Sequence, residues 1–84
     1  MPVIANFYGI SIKMYFLASE HNPPHIHAIY GDDAAAIDFA TGVVLDGYLP
    51  PKALAMVKEW SSLHKDELTE IWNSQKFIKI EPLR

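Results

Sequence analysis

Apolar and polar positions alternate along the first half of the chain and recur at helical spacing along the second. In "ISIKMYFLA", Ile10, Ile12, Met14 and Phe16 stand opposite Ser11, Lys13, Tyr15 and Leu17. A period of two marks a half-buried strand. The shorter run before it sets Val3, Ala5 and Phe7 against Ile4, Asn6 and Tyr8, and Gly9 supplies a turn or bulge between the two. "HIHAIY" places Ile26, Ala28 and Tyr30 on one face and His25, His27 and Ile29 on the other. "GDD" is a turn signal, and "AAAIDFA" follows with Ala35, Ile37 and Phe39 opposite Ala36 and Asp38. Thr41-Gly42 turns the chain into "VVLDG", a fifth strand. Connections this short favour an antiparallel meander.

Pro50-Pro51 opens a helix, since proline is tolerated in a first turn. Ala53, Met56, Val57, Trp60 and either Leu63 or His64 form its apolar stripe, which continues through Leu68, Ile71 and Trp72. The pattern predicts one long helix to about residue 74 or two helices meeting near 62–66, with Ser62 and Asp66 as N-cap candidates for a break. "FIKIEPL" reads as an extended tail or edge strand. The stripe needs an apolar sheet face to cover. The expected fold is therefore α+β, a single domain over residues 1–84. It is an antiparallel meander of about five strands with one kinked helix or two helices on one face, the other face being left for a partner or a second copy.

With 84 residues, 50% of them apolar, the chain can build a core without staples. Cysteine is absent, which excludes disulfides and thiolate metal sites. No run approaches the roughly 20 apolar residues of a membrane span, and "MPVIANFYGI" lacks a basic n-region. These features predict a soluble, cytoplasmic protein. The net charge of −3 and the single arginine, Arg84, disfavour a broad nucleic-acid surface.

The chemistry concentrates in "EHNPPHIH", which holds three of the four histidines. His25 and His27, two apart on a strand, point the same way. That suits two imidazoles on one divalent metal ion, and equally an acid and a base working on one substrate. Glu20 and His21 precede them across a turn stiffened by Pro23 and Pro24, so the metal candidates are His21, His25, His27 and Glu20. If neighbouring strands pair, Lys13 and Tyr15 join the histidine face from one side and Asp38 from the other. His25, His27 and Lys13 are then the catalytic candidates, and Glu20, His21, Tyr15 and Asp38 the binding candidates. A histidine pair on a solvated strand face also occurs without any function. HExxH and GxSxG are absent, as are a Gly-rich phosphate loop and the alternating triple histidine of nucleotide hydrolases. His64 sits on the helix stripe and reads as a packed or capping residue.

"MPVIANFYGISIKMYF", "EHNPPHIHAIYG", "AAIDFATGVVLDGYLPPKAL" and "VKEW" resemble a family of short bacterial proteins, domain of unknown function 4160, over residues 1–74. The resemblance implies a small gene beside a second one of the domain of unknown function 2442 type. It implies a type II toxin–antitoxin arrangement with this chain on the toxin side. It carries no catalytic residues over. Three functions follow as expectations: a toxin-side component whose histidines act on RNA or a nucleotide, a non-enzymatic module that docks a protein on its open sheet face, and a small metal-binding protein. Whether the chain is an enzyme is left open by its residues.

Overall fold

The computed structural model describes residues 3–14, 24–74, 76 and 79–82. Five strands, β1 (Val3–Phe7), β2 (Ile10–Lys13), β3 (His25–Tyr30), β4 (Asp33–Asp38) and β5 (Val44–Gly47), pair in chain order as one antiparallel sheet. Two helices follow, α1 (Pro51–Leu63) and α2 (Lys65–Ser74). The α+β meander expected from the alternation is the fold observed.

The alternation settles the faces. Ile10, Ile12, Ile26, Ala28, Ala35 and Ile37 are buried and share the core with Ala53, Val57 and Trp60 of α1. Trp60 is fully buried, its ring 5.6 Å from that of Phe7, and its indole N–H donates to the Glu81 carbonyl at 2.9 Å. The helix is amphipathic because its apolar residues recur at i, i+3, i+4 and i+7, so one stripe covers one sheet face.

Three local departures have physical causes. Alternation sets Ile4 opposite Ala5 and Phe7, yet all three are buried. The register of β1 on β2 shifts between Val3 and Ala5, so Ile4 is the extra residue of a bulge and turns inward. The Ile80 N–H donates to the Ile4 carbonyl at 2.7 Å, which lays the C-terminal tail beside β1 without a further strand among the described residues. β4 stops at Asp38 because that residue closes a turn: its Oδ1 accepts the N–H groups of Ala40 and Thr41, and its carbonyl accepts that of Gly42. The helices part at His64, and neither Ser62 nor Asp66 is the junction. The His64 ring lies 5.3 Å from that of Trp60, with Nδ1 2.8 Å from Glu67 Oε1. His64 is thus the stripe residue that the sequence left between itself and Leu63, which is exposed.

Gly47 cannot be another residue without rearrangement. Its φ is +80°, and a Cβ there would overlap the Ala34 carbonyl oxygen. Among the described residues, large exposed apolar side chains do not gather on the outer sheet face. They lie at Tyr8 and Tyr30, at Val43, Leu45 and Tyr48 around β5, and at Leu63. Among the described residues, no helix is long and apolar enough to cross a membrane.

Candidate functional site

Sheet register builds the candidate site. Lys13 stands directly opposite His27, and His27 opposite Ala36, while His25 stands opposite Asp38. Directly opposed residues on an antiparallel pair hold their Cβ atoms about 4.5–5.5 Å apart, so Lys13 and His27 are side by side. His25 and His27 share a face, their ring centres 5.0 Å apart at 64°. The structure thus brings together His25, His27 and Lys13. Tyr15, Glu20 and His21, together with the prolyl bonds before Pro23 and Pro24, lie outside the described residues.

The expectation that both histidines stand on a solvated, helix-free face needs correction. His25 is only 8% exposed, and its ring centre lies 5.4 Å from that of Trp72 in α2. The last turn of α2 therefore reaches the histidine side of β3. His27 is half-buried and retains access to solvent. Alternation assigns a face to each side chain, but it carries no information about what covers that face. Asp38 is placed beside His25 by register, yet its Oδ1 is engaged by two backbone amides of its own turn.

The ring spacing bears on the chemistry. With their centres 5.0 Å apart in edge contact, one imidazole is placed to support the other. The spacing also fits two imidazoles on one cation. With a Zn–N bond of about 2.0–2.1 Å, ring centres on a tetrahedral ion stand roughly 5 Å apart. Among the described residues, no group of three or more His, Asp or Glu side chains gathers as a metal site would.

The family model described as a domain of unknown function, DUF4160, matches residues 9–73. The chain belongs to this family. The match runs from the β1–β2 turn to the last turn of α2 and includes the whole histidine segment. No curated protein and no solved structure matches the chain.

A second cluster stands at the opposite end of β3. Tyr8, Tyr30, Pro50, Lys52, Ala53 and Met56 line one groove. A usable signal was present: Tyr-Gly between two alternating runs is the length of a two-residue hairpin turn, which puts Tyr8 at a turn position and not in a strand.

Proposed function

We propose that the chain is the toxin-side component of a type II toxin–antitoxin pair, and that His27, supported by His25 and flanked by Lys13, cleaves RNA. The pair reading rests on the resemblance to short bacterial proteins encoded beside a second small protein. That neighbour, of the domain of unknown function 2442 type, is the cognate partner in this reading. The site reading rests on one observation: an accessible imidazole opposite a lysine, with a second imidazole packed edge-on against it.

His27 takes the proton of a ribose 2′-hydroxyl. The 2′-oxygen forms a bond to phosphorus, the bond from phosphorus to the 5′-oxygen breaks, and the departing oxygen takes a proton from water. The products are a 2′,3′-cyclic phosphate and a 5′-hydroxyl end. The Lys13 ammonium offsets the charge that builds on the phosphoryl oxygens. His25, wedged on Trp72, holds the His27 ring in place.

The test is growth on induced expression, with and without the neighbouring gene, and with the RNA of arrested cells examined for cyclic-phosphate ends. Arrest that the neighbour relieves and that His27→Ala abolishes is the expected result. Folded parent protein that neither arrests growth nor cleaves RNA would overturn the proposal.

The 5.0 Å ring spacing favours a second reading, in which His25 and His27 contribute to a divalent cation site. Metal analysis of untagged protein tests it. Stoichiometric zinc that is lost in a His25→Ala, His27→Ala double variant would put this reading first.

A further inference from the structure

The β1–β2 hairpin closes on Tyr8 and Gly9, with φ values of +50° and +80°. Two consecutive positive φ values define a type I′ turn, whose first position favours Asn, Asp or Gly. A tyrosine there is strained. The core does not require it, because Tyr8 is 59% exposed. The Tyr30 ring lies over the same turn: a Cβ added at Gly9 would meet its Cε1 at 3.4 Å. Tyr30 is itself 39% exposed.

Both tyrosines line the groove that Pro50, Lys52, Ala53 and Met56 complete. Its volume is about 410 Å³, within the range of small-molecule sites. No carboxylate lines it, and Lys52 makes no ion pair among the described residues. Lys52 also follows the "LPP" segment of the resemblance, which the histidine site does not use.

Two other hollows among the described residues lack this combination. One, lined by Glu67, Glu70, Ile71, Ser74 and Lys76, presents two carboxylates that repel an anion. Another brings Lys58 and Lys65 together, but the one ring in its wall, Phe39, is buried. Exposed aromatic faces beside an unpaired cation are what an unstacked nucleotide requires: a ring for its base and a positive charge for its phosphate.

We infer that the Tyr8–Tyr30 groove binds one unpaired nucleotide of a single-stranded RNA, its base stacked on the tyrosines and its phosphate on Lys52. This deepens the RNA reading given above, and it can fail or stand separately from it. The groove sits at the other end of β3 from His25, so it holds the strand and takes no part in bond cleavage. Tyr8 and Tyr30 are binding residues that act on affinity.

The test uses the full chain and a fluorescein-labelled ten-nucleotide oligoadenylate, followed by fluorescence anisotropy. Base stacking on an aromatic side chain carries about 1–3 kcal/mol, so Tyr8→Ala should weaken binding roughly 5- to 150-fold. Tyr8→Phe should keep it within about 2-fold, because the ring face is retained. Lys52→Ala should flatten the dependence of log affinity on log salt by about 0.7, the value for one phosphate of a single strand. A duplex of the same length, with its bases closed, should bind far more weakly than the strand. AMP that displaces the oligonucleotide at equal concentration would identify a free nucleotide as the occupant, with the same base and phosphate contacts.

Tyr8→Asn provides the check on folding. Asparagine accepts the turn geometry, so this variant should melt higher than the parent while losing affinity. Tyr8→Ala and Tyr30→Ala variants that are folded by circular dichroism and bind like the parent would overturn the inference. So would a proline-rich peptide binding where the oligonucleotide does not. Tyr8-dependent binding without cleavage would sustain the groove and remove the nuclease. Cleavage with an unchanged KM in Tyr8→Ala would do the reverse.

Discussion

The two ends of β3 invert the ordinary rule of burial. At its start a histidine, a residue that usually keeps contact with water, is 8% exposed beneath Trp72. At its finish two tyrosines, 39% and 59% exposed, stand in solvent at a strained turn. Apolar surface scattered singly is unremarkable, whereas a buried polar ring or a clustered, exposed aromatic pair carries information. At the histidine end the protein gives up solvation to fix a ring. At the tyrosine end it gives up backbone comfort to present one. Packing dominates the first end and recognition the second, so substitutions at the two should have opposite signatures.

The largest effect is expected at the packed end. Trp72 is 4% exposed and lies against His25. Trp72→Ala should cost about 3–5 kcal/mol, a large part of the 5–15 kcal/mol available to a small domain. Urea unfolding measures it. A loss below about 1 kcal/mol would mean that the tryptophan merely rests on the sheet.

The next contrast lies within the histidine pair. His25→Ala removes a buried ring and should cost about 1–3 kcal/mol, while the more accessible His27→Ala should stay within about 0.5–1 kcal/mol. Activity should rank them the other way. Losing His27, the proposed acid–base group, should reduce the proposed cleavage about 100-fold or more, and losing its support less. Equal stability losses would break the claim that Trp72 covers His25 and leaves His27 the more accessible ring.

Those expectations show what could and could not be read from the residues. The β3 faces followed from "HIHAIY" because a period of two leaves no freedom once one face is buried. The helix break near 62–66 followed from capping chemistry, but its position at His64 did not. The ring of Trp60 and the carboxylate of Glu67 select that residue, and neither contact is local in pattern. The cover on His25 was illegible for the same reason: Trp72 lies far along the chain and belongs to a stripe that reads as core. Apolar alternation continues through Tyr8 and reads as strand, although Gly9 beside it marks the turn. Among the proposed site residues, register delivered Lys13 beside His27 correctly from pairing alone.

At the tyrosine end the sign reverses. A left-handed conformation costs a residue with a Cβ about 1–2 kcal/mol, and asparagine escapes part of that through its own local hydrogen bonds. Tyr8→Asn should therefore stabilise the fold by about 0.5–1 kcal/mol. A destabilised Tyr8→Asn protein would show that the ring contributes packing and that strain is not being held for a ligand.

The smallest expected effect tests whether the two ends are independent. Ile10 pairs with Tyr30 and Lys13 with His27, so the ends lie three residues apart along the sheet, about 10 Å, with no shared partner among the contacts described. Tyr8→Asn and His27→Ala should therefore change stability additively, within about 0.3–0.5 kcal/mol. The same cycle read in the affinity for oligoadenylate asks a different question. A strand seated on the tyrosines alone gives additive losses there too. A strand that also crosses to His27 gives a coupling above that limit, because releasing it at one end loosens it at the other. Additive stability with coupled affinity would mean that the fold keeps its two ends separate and that only the bound nucleic acid joins them.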